Sequence, residues 1–302
     1  MKAVVIHEYG GPEVLKFEDY PDPTPGPGEV LVKVAATSIN PIDLMQRSGA
    51  VKDFFPVEFP GIIGRDLSGT IRGLGPGVDK FSVGDRVFAL ASHAYAELCV
   101  VPAQLLAKIP DGLDLVEAAA LPLVTITGSQ LISALGGVQP GQSVLVSGAV
   151  GSVGRAAVYT AKDKGTKVIA GVRKSQLSEA NRINADQVLA LDDEAAVRAL
   201  APVDAVANTV RGTTADMLVA KVKSGGIFAS VTGVPEVAKT FPSVKGVAVF
   251  SKENPETLVY MAEAVRVGRL SIPISQKVPL KEAGQGHGAM EKGVAGKIIL
   301  VA

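Results

Sequence analysis

The feature that most constrains the fold is an apolar strand that leads into a glycine turn and then a helix. Residues 143–147 are apolar with a serine at each end, and Ala149, Gly151 and Gly154 follow. This order matches the G-x-G-x-x-G turn of dinucleotide-binding units, with alanine at the first position. Such a turn lets a pyrophosphate approach the backbone and the N–H groups of a helix start. The sequence therefore predicts a nucleotide-binding βαβ unit.

The residues after the turn extend this pattern. Small and apolar residues recur at helical spacing from Val153 to Ala161, which predicts a helix lying against a sheet. Gly165 ends this helix, and residues 167–172 are predicted to form a second buried strand. The simpler alternative is a glycine-rich turn that joins two packed elements without binding a ligand. The order strand, turn, helix, strand within about thirty residues favours a cofactor.

The end of the second strand discriminates between the two nicotinamide dinucleotides. An acidic residue there binds the ribose 2′-hydroxyl, whereas basic residues accommodate a 2′-phosphate. At this point the chain has Val172, Arg173, Lys174 and Ser175. The first carboxylate after them is Glu179. We therefore expect NADPH as the cofactor, the alternative being that both basic residues are ordinary solvated loop residues.

Composition limits the classes of partner and compartment. Lys and Arg number 30, as do Asp and Glu, which argues against nucleic acid or an anionic membrane as the main partner. The one cysteine, Cys99, permits no internal disulfide and suits a reducing compartment. His7 and Glu8 interrupt the apolar N-terminal residues, so no secretory signal is expected and a cytoplasmic location is predicted.

The uncharged segment at residues 118–154 raises the question of a membrane span. Pro122, Gly128, Gln130 and Pro140 are among the residues that interrupt it. No apolar run in it reaches the roughly 18 to 20 residues that a span needs. We therefore predict no membrane span.

The predicted secondary-structure pattern changes twice along the chain. Residues 1–122 contain short β-type segments separated by glycine and proline, with a short helix predicted at 41–47. Residues 123–267 alternate between strand and helix, which predicts a parallel sheet covered on both faces. Residues 268–302 return to short β-type segments and are expected to complete the first domain. The predicted fold is therefore α/β, with a β-rich domain and a doubly wound parallel-sheet domain.

Ligands of doubly wound sheets lie beyond the carboxyl ends of the strands, so residues there are candidate cofactor contacts. The alternative is that they are plain loop residues. The predicted strands at 204–208, 227–231 and 247–250 end next to these candidates, and the last strand is also a candidate edge for subunit pairing. The candidates are Thr209, Val210, Thr232, Gly233, Phe250 and Ser251, together with the turn residues Ala149, Gly151, Ser152, Val153 and Gly154.

Several further motifs carry a resemblance to a known family, and they occur in the family's order and spacing. They are residues 1–3 with 10–15, 27–32, 40–43 with 47–49, 60–61 with 64–69, 77–78, 83–87, 95–97 and 296–298. With the glycine turn, they make the chain resemble the zinc-independent, quinone oxidoreductase-like branch of the medium-chain dehydrogenase/reductase superfamily, nearly from end to end.

The resemblance implies a GroES-like catalytic domain, residues 1–122 completed by 268–302, and a Rossmann domain at 123–267, with cofactor and substrate in the cleft between them. It also implies that Asn40 lies in the cleft and contacts the cofactor. The Asn40 amide would donate a hydrogen bond to the substrate oxygen. The alternative is a polar residue that ends a strand before Pro41. Thr127 matches a position near the nicotinamide, or it bonds its own helix. Relatives are commonly dimers, so a homodimer is expected.

The metal ligands of the zinc-dependent relatives are missing. Asn40 stands where they would have cysteine, and Arg65 and Asp66 stand where they would have a His-Glu pair. A catalytic zinc needs three protein ligands, and we expect none here. The three histidines, His7, His93 and His287, form no cluster at a recognisable spacing. A single histidine is more often a surface or core residue than a catalyst, so none of them is expected to be a general acid.

Three functions remain open from the sequence. The first is hydride transfer from NADPH to a quinone, for which the protein orients a flat, apolar, small-molecule acceptor. The second is reduction of an enone or alkenal, which requires protonation of the carbon next to the enolate. The third is NADPH binding without turnover. Some relatives place a tyrosine near the substrate, where this chain has Met45, Ala50 and Val51, so solvent is the expected proton source.

Overall fold

The computed structural model describes residues 1–302, which form two compact units. Unit 1 comprises residues 1–123, 253–268 and 272–302, and unit 2 comprises residues 124–252 and 269–271.

The chain contains sixteen strands and eight α-helices. The strands are β1 (Lys2–Ile6), β2 (Lys16–Asp19), β3 (Glu29–Ser38), β4 (Gly61–Ile62), β5 (Asp66–Leu74), β6 (Arg86–Leu90), β7 (Leu98–Pro102), β8 (Ala107–Lys108), β9 (Ser143–Ser147), β10 (Lys167–Val172), β11 (Gln187–Ala190), β12 (Val203–Asn208), β13 (Val222–Ser230), β14 (Lys245–Ala248), β15 (Ile274–Pro279) and β16 (Lys297–Val301). The helices are α1 (Pro41–Ser48), α2 (Pro122–Ser133), α3 (Ser152–Asp163), α4 (Leu177–Ala180), α5 (Glu194–Ala199), α6 (Thr213–Val219), α7 (Pro255–Arg266) and α8 (Ala283–Glu291). None of these helices combines the length and apolar character that a membrane crossing requires.

Unit 1 is rich in antiparallel strands. Its larger sheet has seven strands in the order β15-β16-β3-β5-β6-β8, with β7 also paired to β3. A second sheet has the order β2-β1-β4. Valines at positions 30, 32 and 34 alternate along β3 and are buried, as expected for a strand with one face on a core.

Unit 2 contains one parallel sheet of six strands in the order β11-β10-β9-β12-β13-β14. This is the doubly wound order, with the chain reversing direction across the sheet between β9 and β12. Separate apolar clusters cover the two faces. One contains Ala157 and Ala161 of α3, and the other contains Leu218 of α6 against Phe228 of β13. The doubly wound parallel-sheet prediction is confirmed.

Helix α7 shows where the domain division differs from the expected one. The sequence placed residues 255–267 in the nucleotide-binding domain, whereas the structure places 253–268 in unit 1. The helix buries Leu258, Met261 and Ala262 and contacts β8 of unit 1. Helical periodicity predicts an apolar face but does not specify which sheet that face covers.

The second difference is α8, in a tail that the sequence predicted as short β-type segments. The helix contains Gly284, Gly286 and Gly288, which have low helix propensity and obscured the pattern. Packing explains the small residues, since a Cβ on Gly286 would lie 2.6 Å from Cδ1 of Ile39. Tertiary contact therefore stabilises a helix that local propensity disfavours.

Candidate functional site

The glycine turn of unit 2 leaves no room for a side chain at Gly148 or Gly154. Strand β9 ends at Ser147, and α3 begins at Ser152 with Gly151 as its N-cap. A Cβ on Gly154 would lie 2.1 Å from the carbonyl oxygen of Gly148, so the helix start contacts the turn directly. The predicted turn residues are thus brought together between the strand and the first helical turn.

Gly148 is a turn residue that the sequence reasoning missed. Its φ is +62°, and a Cβ there would lie 2.3 Å from Oγ1 of Thr209. The signal was present in the spacing of Gly148, Gly151 and Gly154, three residues apart. Only glycine combines this backbone conformation with the close approach of the neighbouring loop.

The start of α3 fits an anionic ligand. The helix has no side-chain cap and no acidic residue in its first turn. The N–H groups of an uncapped first turn lack intrahelical partners and carry the positive end of the helix dipole. The N–H groups of Ser152 and Val153 are therefore suited to an anionic ligand, whereas the Gly151 N–H already donates to the Gly148 carbonyl at 2.9 Å.

Hydrogen bonds connect the polar residues at the carboxyl ends of β9, β12 and β13. Ser147 donates its hydroxyl to Oδ1 of Asn208 at 2.8 Å, and Thr209 donates its own to the Ser147 carbonyl at 2.7 Å. Asn208 donates from Nδ2 to the Val210 carbonyl at 2.8 Å, and the Thr232 hydroxyl donates to the same oxygen at 2.9 Å. The predicted contacts after these strands therefore lie together at the carboxyl ends of the strands. An open cavity of about 270 Å³ adjoins them, lined by residues 211, 212, 215, 216 and 232–235.

The other predicted contacts of unit 2 also find partners. The Thr127 and Ser251 hydroxyls are hydrogen-bonded to each other. Gln130 supports this arrangement, since its amide donates to the Lys252 carbonyl at 2.7 Å and accepts from the Lys252 N–H at 2.9 Å. Phe250 is exposed over 75% of its surface.

The basic residues after β10 differ in their surroundings. Lys174 pairs through Nζ with Asp193 at 3.1 Å, and its N–H donates to Asp192 at 2.7 Å. Arg173 is exposed and forms no ion pair; its Nε lies 3.4 Å from Oε1 of Gln176. Two carboxylates therefore lie near this strand end, contributed by the loop that follows β11. Of these two basic residues, Arg173 is the one whose positive charge has no ion-pair partner.

Arg155 is a structural residue of the turn that the sequence reasoning missed. The side chain is buried, and its Nε donates to the Val150 carbonyl at 2.9 Å. Its Nη2 pairs with Glu179, beyond the end of β10. This guanidinium therefore ties the glycine turn to the segment that follows the basic residues.

In unit 1, Asn40 lies at the centre of a buried polar cluster. The residue is fully buried at the N-cap of α1. Its Nδ2 donates to Oδ2 of Asp66 at 2.8 Å and to the Ser38 carbonyl at 3.3 Å. Its Oδ1 accepts from Nζ of Lys297 at 2.6 Å. Both Nδ2 protons and the Oδ1 atom of the amide are therefore engaged inside the cluster, a constraint that the sequence did not indicate.

Lys297 and Asp66 form a buried ion pair within this cluster. Their charged atoms are 3.4 Å apart, and Lys297 also donates to the Ile39 carbonyl at 3.1 Å. Asp66 accepts further hydrogen bonds from the Ser38 hydroxyl and the Leu123 N–H. Burial lowers the pKa of Lys297, and the charges of Asp66 and Asp43 oppose that shift. Neither charge has water to solvate it, so each depends on these partners.

A second chain of buried polar contacts runs from Arg47 to Asp43. Arg47 Nη1 lies 3.3 Å from Nδ1 of His287, and Nε2 of His287 lies 3.0 Å from the Tyr95 hydroxyl. A guanidinium can only donate, so Nδ1 accepts and Nε2 carries the proton of the neutral ring. Nε2 then donates to the Tyr95 oxygen, and Tyr95 donates to Asp43 at 3.3 Å. Arg47 also donates from Nε to the Gly10 carbonyl at 3.1 Å, which anchors the loop there.

Asp43 and His287 should give stability opposite dependences on pH. Burial raises the pKa of Asp43 from 3.8 to about 7, so between these pH values the native state holds a proton that the unfolded state has lost. The free energy of unfolding therefore falls as pH rises from 3.8 to about 7. Burial, with the Arg47 charge, lowers the pKa of His287 to about 3, which makes stability rise as pH increases toward its ordinary 6.5. We expect Asp43→Asn to leave a steeper rise between pH about 4 and about 6.5. Urea midpoints measured across that range test this, and curves parallel to wild type would contradict it.

Comparisons with known proteins agree with this architecture. The family model "Alcohol dehydrogenase GroES-like domain" matches residues 26–111, and the model "Zinc-binding dehydrogenase" matches residues 183–300. A chloroplast envelope quinone oxidoreductase homolog of Arabidopsis thaliana is 30% identical over 99% of this chain and 98% of its own. The chain belongs to the quinone oxidoreductase-like branch of the medium-chain dehydrogenase/reductase superfamily. As a member of this family it is an oxidoreductase.

Other relatives in the superfamily extend the match. A quinone oxidoreductase of Pseudomonas aeruginosa is 30% identical over 95% of this chain and 94% of its own. The solved quinone oxidoreductase of Coxiella burnetii is 30% identical, covers 100% of this chain and 99% of its own, and has a TM-score of 0.89. A mycobacterial protein solved in complex with NADPH is 31% identical over 100% of both chains, with a TM-score of 0.86. The expected GroES-like and Rossmann-like fold classes are confirmed.

The name of the second family model raises the question of a metal site in this member. No group of three or more His, Cys, Asp or Glu side chains is placed to hold a metal ion. Burial raises the pKa of the Cys99 thiol to about 12, which disfavours the thiolate that zinc binds. Asp66 and Asn40, at two of the positions compared with metal ligands, are engaged in the buried cluster.

Proposed function

We propose that this oxidoreductase uses NADPH and transfers a hydride directly to a quinone, without zinc. The observation that carries the proposal is the glycine turn before α3, where Gly148 and Gly154 leave no room for a side chain, with the exposed Arg173 at the end of β10. The relatives named quinone oxidoreductases support the acceptor class, and the relative solved with NADPH supports the cofactor. The positions of the ligand-type side chains support a reaction without metal.

The cofactor-binding residues follow from the chemistry of their groups. The backbone from Gly151 to Gly154 would bind the pyrophosphate, with Ala149 buried beneath the turn. Arg173 would bind the 2′-phosphate, with Lys174 and Ser175 beside it. The strand-end contacts and the Thr127–Ser251 pair are proposed for the rest of the dinucleotide. When bound, NADPH supplies a hydride to an electron-poor acceptor, whose oxygen then takes a proton from solvent.

Asn40 remains the proposed hydrogen-bond donor to the acceptor oxygen. Lys297 and Asp66 hold its amide on both sides, which fixes the orientation of the group. The 3.3 Å hydrogen bond from Nδ2 to the Ser38 carbonyl is the longest of its contacts. A donor role therefore requires that bond to be exchanged for one to the acceptor. Lys297 and Asp66 would act as positioning residues.

A homodimer in the cytoplasm remains a prediction. The strand β14 forms one edge of the unit 2 sheet, close to the predicted edge at 247–250. Its outer N–H and C=O groups are available for pairing with a second copy. A reducing compartment suits the single buried cysteine.

Following NADPH absorbance with p-benzoquinone, an enal and buffer alone tests the function. Oxidation with the quinone only is the expected result. Saturated carbonyl product from the enal would instead support reduction of a double bond. Tight NADPH binding with no oxidation by either acceptor would contradict the proposed activity.

The cofactor preference has its own variant pair. We expect Arg173→Ala to raise the Kd for NADPH about tenfold or more and that for NADH by much less, because one charge-assisted contact to the 2′-phosphate is lost. Lys174→Ala is the matched control, with a smaller effect because Asp193 already neutralises that charge. Fluorescence titration of both dinucleotides gives the constants. Equal losses for NADPH and NADH would contradict the assignment.

A further inference from the structure

Arg65 of unit 1 is a largely buried cation whose hydrogen-bonding capacity is underused. Only 14% of its side chain is exposed, and its Nε is buried with no hydrogen-bond partner. Its one ion pair, from Nη2 to Glu253, is 3.4 Å long. A buried donor without a partner is costly, and a guanidinium has five N–H groups to satisfy. The group is therefore suited to an additional acceptor, preferably an anionic one.

Aromatic surface lies beside this cation. The Cζ of Arg65 is 6.0 Å from the ring centroid of Phe55, within cation–π range. Phe55 is 36% exposed and the adjacent Phe54 is 82% exposed, both on the segment after α1. Phe59 of the same segment packs edge-on against Tyr9, with centroids 4.8 Å apart. Exposed aromatic rings next to a cation suit a flat ring that carries a negative oxygen.

The loop containing His93 completes the surroundings. Backbone hydrogen bonds from Ala91 to Arg65 at 2.7 Å, and from Ala94 to Gly64 at 3.3 Å, hold this loop beside the arginine. His93 has a φ of +61°, which is the single positive φ outside glycine. This left-handed conformation is uncommon outside glycine, although histidine adopts it more often than most residues. Partial burial and the Arg65 charge lower the pKa of His93, so Arg65 is the cation of this group near neutral pH.

We propose that Arg65, with Phe55 and His93 beside it, binds the anionic oxygen of an aromatic ligand. This deepens the proposed function and rests on it. Addition of a hydride to a quinone transfers two electrons and gives the hydroquinone monoanion, and one proton from solvent then completes the hydroquinone. A guanidinium beside the oxygen stabilises the charge that develops before that proton arrives. The site would select aromatic acceptors whose reduced form is a phenolate.

The probe 4-nitrophenol tests this site without turnover, because its anion and neutral form differ in absorbance. We expect the wild-type protein to bind the anion in preference to the neutral phenol. Arg65→Gln should weaken binding of the anion about tenfold or more, as expected for loss of a charged hydrogen-bond partner. Glu253→Gln should tighten it severalfold, since it removes the competing carboxylate. Arg72→Gln, an exposed arginine on β5, is the matched control and should leave binding unchanged.

The outcomes separate this proposal from the proposed function. Arg65→Gln should lower kcat/KM for p-benzoquinone while the Kd for NADPH stays as in wild type. If the wild-type protein fails to reduce quinones but 4-nitrophenolate binding depends on Arg65, the proposed activity fails and the anion site stands. If Arg65→Gln binds the probe within about twofold of wild type, the site is overturned. Should that variant fold poorly, Glu253→Gln decides, and unchanged affinity there overturns the site equally.

Discussion

Lys297→Met is expected to lower the free energy of unfolding by about 3–5 kcal/mol. The substitution removes the ammonium that donates to Asn40, to the Ile39 carbonyl and to Asp66, all of them buried. Methionine matches the length of lysine, so the cost arises mainly from the Asp66 carboxylate left without its cation and the Asn40 amide left without its donor. Urea unfolding monitored by circular dichroism measures this change.

The double variant Asp66→Asn/Lys297→Met provides the control for this prediction. Removing both charges takes away the unpaired carboxylate, so the double variant should be more stable than Lys297→Met itself. Lys277→Met controls for the loss of an exposed lysine. Its ion pair with Glu117 is solvent-exposed, so its loss should change stability far less than the loss of Lys297. A loss below about 1 kcal/mol for Lys297→Met would show that the buried pair is not a coupled unit.

Gly154→Ala is expected to abolish measurable NADPH binding and to destabilise unit 2 by about 1–3 kcal/mol or more. The added Cβ would lie 2.1 Å from the Gly148 carbonyl oxygen and 2.8 Å from Cα of Ala149. Both neighbours are backbone atoms, so relief requires α3 to move away from the turn. Such a movement displaces the N–H groups proposed to bind the pyrophosphate. Fluorescence titration with NADPH and thermal unfolding measure the two effects.

Two other glycines calibrate this result. A Cβ on Gly151 would lie 3.2 Å from the same carbonyl oxygen, so Gly151→Ala should show a smaller effect in the same turn. A Cβ on Gly288 of α8 would meet nothing within 4 Å. Gly288→Ala should leave NADPH binding unchanged and stabilise the protein by about 0.5–1 kcal/mol. Wild-type NADPH affinity in Gly154→Ala would contradict the proposed placement of the pyrophosphate.

Local patterns predicted much of the fold. The apolar run at 167–172 corresponds to β10 at the same residues. This prediction succeeds because the pattern that identifies a strand lies in residues adjacent in the chain. The helix α8 escaped for the opposite reason, since its glycines oppose helix formation and are explained by contact with Ile39.

The candidate site was predictable in its residues but not in all their partners. The conformation of the turn at Gly151 and Gly154 depends on residues adjacent in the chain, so the sequence was sufficient to predict the turn. The neutralisation of Lys174 by Asp193 did not follow, because these residues meet only when β10 and β11 pair side by side. The burial of the Asn40 amide did not follow either, because Lys297 is 257 positions away in the chain.

The family, the doubly wound sheet and the glycine turn could be predicted from the amino-acid sequence, since each depends on residues close together in the chain or on motifs in a set order. Which charges are paired depended on the folded structure. It enclosed Asp66 with Lys297, neutralised Lys174, and left Arg173 exposed and Arg65 with an unpartnered Nε. The physical reason is that the free energy of a charge depends on the water and partners around it, and long-range packing sets both.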